Sequence, residues 1–219
     1  MSKFIPTERT RVKRLPKRGF YDKETIYKIL DEAIICHVGF TLDSIPFVIP
    51  TAYVRIDDCI YIHGAKSNQM MNAINNSGEA CITVTLLDGY VMARSVFHHS
   101  MNYRSVVMFG KGKIVENKDE RINALRAFSE HVMPGRWDDV RQPSEKELYA
   151  TSILKFQIEE ASAKIRTGQV IDDEEDYALN VWAGVLPVKT VFGEPQKDER
   201  LKNDITEPEY LLKFISSKK

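Results

Sequence analysis

Apolar and polar positions change period several times along the chain, and each change marks an element. Residues 22–33 place Ile26, Ile29 and Leu30 at helical spacing behind Asp22, a good capping residue, which predicts a helix. Residues 33–40 (AIICHVGF) form a continuous apolar run that reads as a central strand, with His37 inside it as a satisfied core residue. Residues 46–55 (PFVIPTAYVR) make a second strand. Pro50 within it marks a bulge or a sheet edge, because proline cannot donate to the ladder. Asp57 and Asp58 then turn the chain into a third strand over residues 59–63, rich in Ile and Tyr. Gly64 and Ala65 supply a tight turn before a helix predicted over residues 69–74, with Ser67 or Asn68 as N-cap.

The second half repeats the pattern with fewer helices. Strands are predicted at 80–87 and 89–95 about an Asp-Gly turn, and at 106–115, where Gly110 and Gly112 mark bends. A helix follows at 118–132, and Ser144 with Glu147 spells a capping box for a short one. Residues 154–161 and 163–167 read as a final strand with a kink. Residues 172–176 form an acidic loop in which Asp172 and Asp173 are solvated, residues 181–191 are apolar and expected to pack, and a short helix is predicted near 208–215. About six strands in meander order, joined by short turns, predict a mainly β protein built as a small antiparallel barrel; closure removes exposed sheet edges. The chain divides into a basic arm (1–21), a barrel domain (22–191) and a polar tail (192–219).

Charge and composition narrow the function. The 219 residues carry 31 basic and 31 acidic side chains, a balance that argues against general nucleic-acid binding. Local charge still varies: the first 20 residues carry seven basic side chains against Glu8. The three cysteines, Cys36, Cys59 and Cys81, are odd in number and sit in apolar runs, so they read as buried hydrophobes. No apolar run approaches membrane-spanning length and no signal peptide precedes the basic start, which points to the cytoplasm.

Two stretches carry candidate chemistry. The strand-turn-helix over 59–76 leaves backbone N–H groups unpaired at a helix N-terminus beside Lys66, an arrangement that suits a phosphate. The stretch FHHSMNYRS (97–105) joins two predicted strands; its Arg104 has the fork to grip a phosphate, with Ser100 or Ser105 adding hydroxyls. A metal reading of His98 and His99 is weak, because neighbouring strand residues face opposite ways and no acid lies at ligand spacing, so no metal site is predicted.

Five segments in order, RGFYD (18–22), IPTAYV (49–54), YIHGAKSNQM (61–70), HHSMNYRSVVMFGKG (98–112) and WAGVLPVK (182–189), resemble one family. They are similar to the flavin-binding proteins of the pyridoxamine 5'-phosphate oxidase-like group, near the 5-nitroimidazole-resistance (Nim-type) proteins. The likeness runs from about residue 11 to 189 and implies a six-stranded antiparallel split β-barrel, a homodimer, and FMN in grooves at the dimer interface. On it, Pro50, Thr51, Ala52 and Tyr53 would line the isoalloxazine ring. His63, Gly64, Ala65, Lys66 and Ser67 would hold the ribityl phosphate, with Asn102, Tyr103, Arg104 and Ser105 completing the pocket, and Trp182 would approach the flavin across the dimer.

The Arg-rich C-terminal signature of the pyridoxal phosphate-forming oxidases is missing, which argues against that activity. The resemblance implies an FMN-dependent oxidoreductase with a small, nitroaromatic substrate and His63 as proton donor. The alternative is a non-catalytic module that binds FMN or haem, with His63 or the His98–His99 pair as axial ligand.

Overall fold

The computed structural model describes residues 2–217. Strand β1 (Gly19–Phe20) leads to helix α1 (Lys23–Glu32), which Asp22 caps by accepting the Thr25 N–H at 2.8 Å. A hairpin follows, β2 (Ile35–Leu42) and β3 (Ile45–Ala52), turning on Asp43 and Ser44, whose φ angles of 50° and 65° are both positive as a two-residue hairpin turn requires. Next come β4 (Val54–Ile56), β5 (Cys59–Ala65) and helix α2 (Gln69–Ser77). The long strands β6 (Glu79–Met92) and β7 (Ser100–Ile114) precede α3 (Lys118–Val132) and α4 (Glu145–Ala150). Strands β8 (Thr151–Arg166) and β9 (Gly184–Pro187) and helix α5 (Glu209–Ser217) complete the described chain.

All nine strands share one antiparallel sheet in the order β3-β2-β6-β7-β8-β5-β4, with β1 added beside β8 and β9 beside β6. The six long strands are those expected of the barrel; β1, β4 and β9 are short additions. The two ends of the order, β3 and β4, are consecutive in sequence, so the sheet curls until its edges meet at Tyr53. Ala52 pairs with Ile35 of β2, the Tyr53 N–H donates to the Ile34 carbonyl, and Val54 already pairs with Tyr61 of β5. The core inside the curl is formed by Ile26, Ile29 and Leu30 of α1 with Val38, Ile60, Ile62, Ile82, Met108 and Phe156 of the sheet.

Several sequence expectations change in detail. Residues 80–95 are one strand to Met92, and Asp88-Gly89 is a bulge rather than a turn. Glycine is needed at 89 because a Cβ there would lie 3.0 Å from the Leu186 carbonyl oxygen of β9, so the dipeptide permits close approach instead of reversing the chain. Residues 100–105 lie within β7 rather than in a connection, and 151–166 form a single strand. A second bulge faces Phe109 and Gly110, where a Cβ on Gly110 would collide with the Gln157 carbonyl. The capping box of α4 is formed.

The basic arm runs along the outside of β8. Phe4 is buried and donates its N–H to Tyr21, while Thr7 and Arg9 both reach Glu160. Of the apolar stretch 181–191, expected to pack, Val181, Trp182, Leu186 and Val191 are exposed within the chain.

Tyr53 is fully buried, and its hydroxyl donates to the Leu30 carbonyl at 2.6 Å, one of the carbonyls that the end of α1 leaves unpaired. Replacing Tyr53 by Phe is expected to cost about 1–3 kcal/mol, since a buried acceptor loses its donor. Replacing it by Ala should cost about 3–5 kcal/mol through the cavity left at the seam. Urea unfolding measures both, and a loss below about 1 kcal/mol for Tyr53→Ala would show that the seam does not hold the barrel.

Candidate functional site

The turn after β5 keeps the features that suit an anion. Gly64 keeps the turn close to α2: a Cβ there would lie 3.1 Å from both Asn68 Nδ2 and Met71 Sδ, tighter than ordinary contact. Asn68 caps α2 by accepting the Met71 N–H at 3.1 Å, and its own N–H donates to Ala65 at 2.9 Å. Ala65 is paired with Thr151 at the start of β8, and the Lys66 N–H donates to the Ala150 carbonyl at 3.0 Å. The turn is therefore pinned from both sides while its side chains face out. Ser67 is exposed. Lys66 Nζ lies 3.8 Å from the centroid of the Tyr149 ring and has no carboxylate partner among the described residues, so its charge is available to a ligand.

His63 sits one residue before this turn, its ring edge-on to Phe128 of α3 with centroids 4.4 Å apart. His63 is exposed to solvent on one side, and desolvation on the side that meets Phe128 lowers its pKa from the ordinary value, which favours the neutral ring. The space behind it, between Val54, Ala124, Leu125 and Ile153, is only about 10 Å³, room for one water at most. A ligand reaches His63 from the solvent side.

The second half of the expected phosphate pocket is elsewhere. Ala65 pairs with Thr151, whereas Arg104 pairs with Ile165 at the other end of the same strand. Fourteen positions separate the two, roughly 45 Å of strand at about 3.3 Å per residue. Arg104 is also occupied. Its guanidinium holds Asp88 of the β6 bulge through Nε at 2.9 Å and Nη2 at 2.7 Å, and Glu32 at the end of α1 through Nη2 at 2.8 Å and through Nη1. These two carboxylates raise its pKa above the ordinary value, and the phosphate they displace has no free fork to grip.

Its neighbours are committed too. Asn102 is buried, donating to Gly168 at 3.0 Å and accepting from Arg166 at 2.5 Å, and the Ser105 hydroxyl donates to the Lys164 carbonyl at 3.3 Å. Tyr103, half-buried on the outer side of β7, has no hydrogen-bond partner among the described residues.

Of the residues expected along the planar ring, Tyr53 has its side chain in the core and its hydroxyl on Leu30, so only its backbone faces a ligand. Thr51 is paired with buried Cys36 and shares its inward side. Pro50 and Ala52 point out from the sheet edge and are paired with His37 and Ile35. His37 continues a row across the sheet to Thr83 and Val107, and Ser105 lies two residues from Val107 on the same outer face. One chain thus presents Pro50, Ala52, His37 and Ser105 on a single exposed surface.

His37 is not the satisfied core residue that the apolar run suggested. It is exposed and has no hydrogen-bond partner among the described residues. The signal was present in the alternation: Cys36, Val38 and Phe40 point inward, so 35, 37 and 39 must point out.

Trp182 lies at the far end of the sheet, its ring so close to Gly184 that a Cβ there would sit 2.9 Å from Cζ2. Register places Leu186, Tyr90 and Met101 side by side across β9, β6 and β7, and each is about half exposed. With Trp182 and Met92 they make an apolar ribbon left open to solvent among the described residues. His98 and His99 stand beyond it: His98 Nε2 is 3.2 Å from Asp173, and His99 Nδ1 is 2.9 Å from the Ser95 carbonyl. No described helix is long and apolar enough to cross a membrane.

Comparison with known proteins follows this geometry. The flavocytochrome Anf3 of Azotobacter vinelandii is 39% identical, with a TM-score of 0.89 over 95% of this chain and 97% of that one. A FAD- and haem-binding protein of Mycobacterium smegmatis is 30% identical, with a TM-score of 0.86 over 90% of this chain and 97% of that one. A putative 5-nitroimidazole antibiotic resistance protein of Bacteroides thetaiotaomicron is more distant: 24% identity and a TM-score of 0.57 over 67% and 86%, a likeness of fold alone. No curated protein sequence matches the chain significantly. The family model described as pyridoxamine 5'-phosphate oxidase matches residues 22–165, from the cap of α1 to the last turn of β8. With most of the barrel inside that match, the chain belongs to the pyridoxamine 5'-phosphate oxidase-like family.

Proposed function

We propose that this chain is a flavin-dependent redox protein that works as a homodimer and holds FAD together with haem. The observation that carries the reading is that the relatives at 39% and 30% identity, each matched over at least 90% of this chain, are a flavocytochrome and a FAD- and haem-binding protein. On that ground FAD replaces the FMN expected from the sequence. The nitroaromatic substrate rests on a relative that shares only the fold and is not carried further.

This chain's residues fit both groups. Lys66, the exposed Ser67 and the capped start of α2 suit a flavin phosphate, with no acid competing for the lysine. A haem iron needs an imidazole with a free lone pair beside flat apolar surface. His37, among Ile35, Val48 and Pro50 on the outer sheet face, and His63, whose lowered pKa favours the neutral ring, both offer one. When bound, a flavin supplies hydride or electron transfer and haem supplies single-electron chemistry. The protein's part is to position them: the Lys66 turn holds the phosphate and the outer face supports a planar group.

Dimerisation accounts for two features together. The uncovered ribbon of Tyr90, Met101, Trp182 and Leu186 is the apolar surface a second copy would bury. The Lys66 turn and the exposed face around His37 lie on different parts of the sheet, and a second copy would set one of them against the other across the interface.

Acid release of bound cofactor from the purified protein, followed by chromatography, is expected to yield FAD, and the visible spectrum to show a Soret band beside flavin absorption. Failure to retain any flavin after reconstitution overturns the reading. Lys66→Ala should weaken flavin binding about tenfold or more, the worth of one charge-assisted bond, at unchanged stability. Arg104→Ala should instead lower stability by about 1–2 kcal/mol by releasing Glu32 and Asp88, which is read by thermal unfolding. Leu186→Asp combined with Met101→Asp should convert the dimer to monomer in light scattering. A dimer unaffected by both charges would place the interface elsewhere.

A further inference from the structure

We propose that the segment after β6 and the segment after β8 together form a site for a divalent transition-metal ion of the zinc class, with His98, Asp173 and Asp176 as its protein ligands. One donor atom from each of the three lies within 4.8 Å of the others, and His98 Nε2 already stands 3.2 Å from Asp173 Oδ2. Donors on a four-coordinate zinc ion, at bonds of about 2.0–2.2 Å, lie about 3.3–3.6 Å apart, so the widest pair of the set closes by roughly an ångström, within reach of side-chain rotation.

The set is assembled by structure and not by sequence neighbourhood. His98 ends a short 3-10 turn, Val96–His98, whose start Ser95 caps by accepting the Phe97 N–H at 3.3 Å. Asp173 and Asp176 open another such turn, the Asp176 N–H donating to the Asp173 carbonyl at 3.0 Å. The two segments are clamped by Asp172, the covalent neighbour of a proposed ligand. Its side chain is buried and accepts from the Arg94 N–H at 3.1 Å, from Arg94 Nη1 at 3.2 Å and from the Ser95 N–H at 3.5 Å. Arg94 in turn lies over the Tyr177 ring, 4.9 Å from its centroid. The solvated role expected for Asp172 therefore does not hold: it is the buried anchor that fixes Asp173 opposite His98.

Charge adds a reason for a cation. Residues 172–176 are all acidic. Arg94 neutralises Asp172, and Asp173 meets only the imidazole; Glu174, Glu175 and Asp176 have no basic partner among the described residues. An ion at the cluster relieves that repulsion. An imidazole in the donor set favours zinc, copper, iron or nickel over magnesium and calcium, which take oxygen. Three protein ligands leave positions for water, as in an open site.

The test uses the full-length chain, freed of metal by a chelator and titrated with Zn²⁺ alone by calorimetry. One ion per chain is expected, with affinity at least tenfold weaker in His98→Ala and in Asp176→Asn and unchanged in His99→Ala. X-ray absorption on the zinc-loaded unmutated protein is expected to show a nitrogen and oxygen shell at about 2.0–2.2 Å without sulfur. Absence of stoichiometric binding, binding that survives both substitutions, or a sulfur ligand would each overturn the site. The spectroscopic arm needs no variant, so a misfolded mutant leaves the proposal decidable.

Discussion

The fold depends on a change of partner at one residue. Tyr53 stands between Ala52, the last residue to pair with β2, and Val54, the first to pair with β5, so its backbone joins the two edges of the sheet. That switch needs a side chain able to fill the seam and to satisfy what the seam exposes. The phenol does both, occupying the core and donating to the Leu30 carbonyl at the end of α1. The end of this helix is held twice more. His131 Nε2 lies 2.9 Å from the Ala33 carbonyl, and Arg104 binds Glu32.

The general architecture was legible because strand alternation and helix caps are local signals. Asp22, Asn68, Asn117 and Ser144 all cap where short-range pattern placed a helix start. What was not legible depends on partners distant in sequence. The same Asp-Gly pair makes a hairpin turn or a bulge according to what packs on the glycine, and here β9, about a hundred residues later, packs on it. Arg104 looked free for a phosphate because Glu32 and Asp88 lie 72 and 16 residues away. His98 lacked an acid at ligand spacing in sequence, yet Asp173 reaches it across 75 residues. His37 is the opposite case. Its position was readable from the alternation around it, and the continuous apolar run obscured that alternation because Ile35 points outward as well.

Those corrections change how the candidate site is understood. One chain supplies a pinned anion turn at Lys66 and an exposed sheet face around His37, but the polar groups of β7 serve the structure: Arg104 ties helix to bulge, and Asn102 ties β7 to the end of β8. Exposed apolar residues form one row on the β9-β6-β7 ribbon and another on the outer face of β2 and β3, at Ile35 and Val48. The homodimer proposed above would cover that ribbon. The family relation and the flavocytochrome relatives supply the chemistry that such a shared surface would hold.

Native mass spectrometry of the purified chain, reconstituted with FAD and haemin and exchanged into volatile buffer, tests this account most directly because it reads assembly and cofactors together. The account predicts a dimer of the 219-residue chain whose excess mass corresponds to FAD and haem. A monomer carrying neither group would contradict it.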